Sequence, residues 1–287
     1  MRESFCSHAR FLATSMVAKH RIFVWLETVS LPANVVIAFG RSDDFFLGVL
    51  QSKFHGIWSL KQGTRLETRP RYTPTTCFET FPFPFVNDLR LRKPSEPLEP
   101  GDESGWEQVL ETRFYTIREE PPAYGGGGGL RKLTPTAHRS AVAAAAKELN
   151  EVRQRWLNPP EWTVEKILEF PGSIAGPWAR YVVNPDKNGI GTARYSRLEP
   201  RDADCAAMLK KRTLTNLYNE RPAWLDLAHK KLDAAVAAAY GWAADLPDEQ
   251  VLERLLALNL ERAAEEAKAN SEAKPKSQRE KHAGEMV

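Results

Sequence analysis

The sequence predicts an α+β fold, a β-rich domain followed by a mainly helical one, and three observations lead there. Short runs rich in Val, Ile, Phe and Trp alternate with turn residues up to about residue 85. Residues 86–134 then shift to proline and glycine and include the run "YGGGGG" at 124–129. From residue 135 apolar residues recur at helical spacing. With 287 residues, 42% of them hydrophobic, the chain is long and apolar enough to bury a core.

In chain order, "RIFVWLETV", "NVVIAFG" and "FFLGVLQS" read as strands, separated by the turn chemistry of "SLPAN" and "GRSDD". "RYTPTTCFETFPFPF" (71–85) is expected to be an extended, aromatic crossing segment, since Pro74, Pro82 and Pro84 each remove a donor that a central strand needs. Residues 1–85 are thus the expected β-rich domain, truncated at its N-terminus because the chain opens almost directly on strand-like sequence. Residues 86–134 are expected to be a flexible insertion or linker, because their composition cannot fill a core.

The helical domain is expected over 135–268. Thr134 is placed as an N-cap and Pro135 in the first turn of a helix that puts Val142, Ala145, Leu149, Val152 and Trp156 on one face. Residues 163–200 read as mixed, with one short hairpin. Helical patterning returns from residue 202, with Gly241 closing one helix and Val251, Leu252, Leu255, Leu256 and Asn259 forming a stripe on the next. A polar tail is expected over 269–287.

The net charge of +3 is unevenly spread: residues 1–93 hold 13 Lys/Arg against 7 Asp/Glu, and the remainder 27 against 30. Such a basic excess suits a surface that meets phosphate. Cys6, Cys77 and Cys205 are too scattered for a disulfide framework or a zinc site. No apolar run approaches the roughly 20 residues that span a bilayer, and the first residues lack the apolar core of a signal peptide. A cytoplasmic protein with no membrane partner is expected.

The motifs point away from catalysis. The glycine run lacks the Gly-Lys-Ser/Thr and the preceding strand of a phosphate loop. His20, His55, His138 and His229 have no metal-ligand spacing. "LNPPEW" (157–162) resembles the Asn-Pro-Pro-aromatic motif with which amino-group DNA methyltransferases hold a flipped base, but Glu161 stands where the stacking ring belongs and the aromatic is displaced to Trp162. It is read as a helix stop.

The functional signal lies in cations and aromatics: Lys19, His20, Arg21, Lys53, His55, Lys61, Arg65, Arg69, Arg71 and Tyr72, all within 54 residues and expected at strand ends or in loops. Long cations there reach phosphates, and the arginine fork addresses guanine. By residue chemistry alone the cluster fits a DNA-binding face and a solvated rim equally well.

The ordered strings "VAKHRIFVWL", "DDFFLGVLQSKFHGIW", "RYTPTTCFETFPFP", "LNEVRQRWLNPPEW", "GIGTARY" and "RTLTNLYNERPAWLDLAHKKLDAAVAAAYGW" resemble the C-terminal part of large bacterial adenine-N6 DNA methyltransferases, notably the MmeI-like type IIL restriction-modification enzymes. The resemblance implies a target recognition domain over 10–85 that carries the ten residues above as candidate contacts to double-stranded DNA, and a helical region from 135 to 268 that packs beside it. It further implies that the S-adenosylmethionine-binding methyltransferase domain lies in a missing N-terminal part or on another chain. On that basis no catalytic residue, cofactor or metal site is expected in this chain. Its rivals are a divergent active methyltransferase and a helical interaction protein with no DNA role.

Overall fold

A computed structural model describes residues 9–30, 32–66, 69–85, 90–91, 114–115, 117–118 and 134–273. Apart from three short strands and Thr134, the expected linker with its glycine run lies outside the described residues, as does the expected tail beyond residue 273.

Strands β1 (Arg10–Ser15), β2 (Val24–Glu27) and β3 (Val36–Phe39) form an antiparallel sheet with β1 in the centre. Leu12 enters the main core while Phe11 and Ala13 pack on the opposite face with Ala38, so β1 is covered on both sides. Two helices follow, α1 (Asp44–Gln51) and α2 (Lys53–Gln62). This corrects the reading of "FFLGVLQS" as a strand. Asp43 caps α1 by accepting the Phe46 N–H at 2.9 Å, and every residue from Phe45 to Gln51 is buried. A helix buried all round shows no polar face, so its short apolar run carries the same pattern as a buried strand.

A hairpin of β4 (Thr64–Leu66) and β5 (Arg69–Arg71) leads to a π-helical turn at Pro74–Phe78. The expected extended crossing segment is therefore partly coiled. Its aromatic residues turn inward, with Phe78, Phe81 and Phe83 buried. Of the short strands β6 (Arg90–Leu91), β7 (Phe114–Tyr115) and β8 (Ile117–Arg118), β7 joins the first sheet parallel to β3, and β6 pairs with β8.

Helix α3 (Pro135–Leu157) begins as its sequence dictates, the Thr134 hydroxyl accepting the Ala137 N–H at 3.2 Å. Val142, Ala145 and Leu149 are buried on its inner face. Here α1 crosses it closely: a Cβ built on Gly48 would lie 2.7 Å from Val142 Cγ1, so the crossing distance requires glycine. The expected short hairpin is a long one, β9 (Thr163–Ser173) paired with β11 (Ile190–Pro200) over eleven residues, with β10 (Val182–Val183) on its edge.

Helices α4 (Ala203–Leu209), α5 (Leu214–Glu220), α6 (Ala223–Tyr240) and α7 (Asp248–Ala273) complete the chain. Gly241 closes α6 at φ 72°, the left-handed conformation glycine adopts without cost. On α7, Val251 and Leu255 are buried, and Asn259 and Arg262 donate to the carbonyls of Thr80 and Phe83 at 2.6 and 2.7 Å.

One hydrophobic cluster joins the N-terminal aromatics Phe39, Phe46, Phe54, Trp58 and Phe78 to Leu149 of α3, Leu225, Leu232 and Val236 of α6, and Leu255 of α7. Full burial stabilises the fold by roughly 1.5–3 kcal/mol per large apolar side chain. Because that burial is shared, the sheet-bearing segment and the helices support each other.

Candidate nucleic-acid interface

A cleft of about 290 Å³ opens where the loop after β1, strand β5, the start of α2 and the α5–α6 junction meet. Lys19, His20, Arg21, Lys53, Arg71 and Tyr72, six of the ten residues singled out in the sequence, line it. The helical region adds Tyr218, Arg221, His229 and Asp233. At the rim, Lys19 Nζ and His20 Nε2 both approach the Asn219 side-chain oxygen, at 2.7 and 2.9 Å. An oxygen that accepts from lysine requires His20 to donate as well, so two N–H donors converge on one acceptor.

Behind that rim the same sequence cluster becomes core. His55 and Tyr72 are buried, His55 behind the cleft wall and Tyr72 within it, so neither side chain stands out to solvent as a residue at a strand end or in a loop is expected to. His55 Nδ1 donates to the Leu50 carbonyl at 2.9 Å, and Nε2 accepts from the Tyr72 hydroxyl at 3.0 Å. The carbonyl can only accept, which fixes this tautomer. Burial holds the imidazole neutral, with its pKa pushed down to about 3.

Arg21 lies between rim and core. Its guanidinium donates to Thr14 Oγ1 at 3.1 Å and to the Ser15 carbonyl, and it covers the Tyr72 ring at 4.8 Å. Burial lowers its pKa. Arg21 thereby braces the β1–β2 loop on which Lys19 and His20 sit. Lys53 is similarly engaged: its Nζ donates to the carbonyl of Leu246 at 3.1 Å, while its backbone N–H donates to Asp233 at 2.7 Å. Asp233, on α6, thus caps α2 from outside. Burial there raises its pKa to about 6.

A second buried group ties these parts together. Arg153 of α3, 1% exposed, donates to Gln51 Oε1 at 3.2 Å, to the Tyr218 hydroxyl at 3.2 Å and to the Phe23 carbonyl at 3.1 Å. The Tyr218 hydroxyl in turn hydrogen-bonds His229 Nε2 at 2.9 Å. Burial, followed by the nearby charges of Arg153 and Arg221, pushes the His229 pKa down to about 4. The chain from Phe23 through Arg153 and Tyr218 to His229 fixes the α5–α6 junction against the sheet segment.

The N-terminal segment that supplies most of the cleft has a known counterpart. Residues 10–85 match the family model described as "MmeI, target recognition domain". The chain is also 27% identical over 144 residues to DNA methyltransferase A of Bacillus subtilis (strain 168), an alignment covering 48% of this chain and 14% of that protein. A solved structure of the type IIL restriction-modification enzyme MmeI in complex with DNA aligns with 89% of this chain and 22% of that one, at 14% identity and a TM-score of 0.48.

Within the MmeI-like segment the cations from α2 to β5 scatter. Lys61 is exposed in the last turn of α2, and Arg69 and Arg71 are exposed on β5. Only Arg71 of these three lines the cleft. Arg65 belongs to β4, and its side chain lies outside the described residues. Among the described residues no group of three or more His, Cys, Asp or Glu is placed to hold a metal ion, and no helix is long and apolar enough to cross a membrane.

The MmeI-like segment does not complete the cleft alone. Asn219 and Arg221, which sequence reading missed, come from the helical region. The legible signal was "NERPAW": an arginine directly before a proline, a position biased toward extended backbone. Arg221 instead has φ 43° and ψ 62°.

Asn158 acts as the helix stop expected of it. It ends α3, its N–H donating to the Gln154 carbonyl at 2.8 Å. Trp162 lies under the Arg212 guanidinium at 4.2 Å, and Arg212 also covers Trp156 and donates to its carbonyl at 2.7 Å. Its aromatic face is thus engaged in bracing the end of α3.

Proposed function

We propose that this chain is the sequence-recognition part of a bacterial adenine-N6 DNA methyltransferase or restriction-modification enzyme. It binds double-stranded DNA and positions an adenine for a methyltransferase domain supplied in cis or in trans. The observation that carries this reading is the match of residues 10–85 to the MmeI target recognition domain, in the same segment that supplies the cationic wall of the cleft. In this reading the chain holds no S-adenosylmethionine and acts in the cytoplasm. Methyl transfer to an extruded adenine requires the cofactor, an acceptor for the amino group and a stacking face. Asn158 and Trp162 are committed to the end of α3, which supports placing that chemistry outside this chain.

The test is duplex binding by the purified chain against a randomised pool, with calorimetry for S-adenosylmethionine alongside. The expected result is enrichment of one short site, no heat from the cofactor, and no incorporation of labelled methyl groups until a methyltransferase domain is added. Methylation by the chain alone, abolished by Asn158→Ala, overturns the division of labour. Failure to bind any duplex overturns the recognition role.

A further inference from the structure

We infer that the cleft is a phosphate site built jointly by the sheet segment and the helical region, with Lys19, His20, Arg71 and Arg221 as its donors. Three observations converge. First, Lys19 Nζ and His20 Nε2 already meet on a single oxygen, that of Asn219, at 2.7 and 2.9 Å. A phosphate oxygen in place of this neutral amide oxygen would turn two ordinary hydrogen bonds into charge-assisted ones. Second, Arg71 is exposed at the cleft, with no side-chain hydrogen bond or ion pair among the described residues, and Arg221, which also lines the cleft, donates through Nε to Asp226 at 3.1 Å.

Third, Arg221 occupies the left-handed C-cap of α5, where the equivalent cap of α6 uses glycine. A non-glycine residue in that conformation carries a steric cost that glycine avoids. The chain accepts that cost at the position that brings a cation into the cleft. Two carboxylates lie beside these donors, and each is already held: Asp233 at the cleft accepts the Lys53 N–H, and Asp226 pairs with Arg221 and with Lys230 at 2.9 Å. The ligand class is a phosphate ester. Its identification as a backbone phosphodiester of duplex DNA rests on the proposed recognition role, whereas the site itself does not.

The experiment separates the two. Duplex affinity of the full chain is measured against salt for wild type, for the double variant Arg71→Gln with Arg221→Gln, and for the charge-keeping pair Arg71→Lys with Arg221→Lys. Losing one phosphate makes the log–log salt slope of the glutamine pair shallower by about 0.9, and the lysine pair restores it. In parallel, inorganic phosphate is titrated while the His20 ring and Asn219 amide resonances are followed, with thermal melting as the folding control for both pairs. Shifts in wild type that vanish in the glutamine pair support the site even if no duplex binds, in which case the recognition role fails and the site stands. Duplex binding with an unchanged slope in the glutamine pair, when no phosphate shifts are lost in that pair, overturns the site and leaves the recognition role intact. Absence of both the slope change and the phosphate shifts also overturns it.

Discussion

His20 and His55 sit in closely similar sequence, one between Lys19 and Arg21 and the other two residues after Lys53, yet the structure uses them in opposite ways. His20 stands at the open rim of a cationic cleft, its Nε2 shared with Lys19 on the oxygen of Asn219. His55 is 0% exposed and serves as a neutral link between the Leu50 carbonyl and the Tyr72 hydroxyl. The difference teaches that flanking charge says little about a histidine. What matters is whether its own face of the helix or loop turns toward water, and in α2 the face bearing Phe54, His55 and Trp58 turns inward.

The interior side of this comparison breaks most sharply at Arg153. Arg153→Ala takes the shared charged donor from three buried neutral acceptors, Gln51 Oε1, the Tyr218 hydroxyl and the Phe23 carbonyl, and a combined stability loss of about 3–5 kcal/mol is expected by chemical denaturation. A loss below about 1 kcal/mol would show that the network is hydrated in solution. His55→Ala comes next, at about 3–4 kcal/mol, from the cavity and the unpaired hydroxyl and carbonyl. A near-neutral His55→Ala would place His55 at the surface.

Acid sharpens the same contrast. His55 and His229 have pKa values lowered from 6.5 to about 3 and about 4, so the unfolded chain takes up protons first. Their contribution is complete above about pH 6.5 and is lost as pH falls toward 4 and below. Asp233, raised from 3.8 to about 6, acts in the other direction, favouring the fold at low pH and losing that contribution as pH rises through 6. Two groups oppose one, so the melting temperature should be flat above pH 7 and fall between pH 6.5 and 4. A rise on acidification would show Asp233 to be dominant.

The smallest stability effect is expected on the rim. His20 is half-buried, and His20→Ala should cost no more than about 1 kcal/mol of stability, less than either interior variant, while weakening duplex binding in a gel-shift titration. A large stability loss there would merge the two regions into one structural role.

How much of this was legible beforehand depends on the range of the interaction. Thr134 with Pro135, the Asn158 stop and Gly241 are local devices, each settled by side chains within four residues, and they were readable. The α+β class followed from periodicity in the same way. The helix at Phe45–Leu50 was not readable, because uniform burial erases the polar face that marks a helix, and it is the arrival of α3 at Gly48 that buries it.

The candidate site divides along the same line. The sequence by itself determined which third of the chain is basic, and it named Lys19, His20, Arg21, Lys53, Arg71 and Tyr72, which do gather around one cleft. Only the tertiary structure decided that Tyr72 is buried within the wall, that Lys53 and Arg21 are spent on backbone carbonyls, and that Asn219 and Arg221 complete the rim from about 150 residues or more away in the chain. Burial and long-range pairing are properties of the packed chain as a whole: the same cation is a donor to a ligand or a brace for a loop according to which carbonyls the fold brings within 3 Å of it.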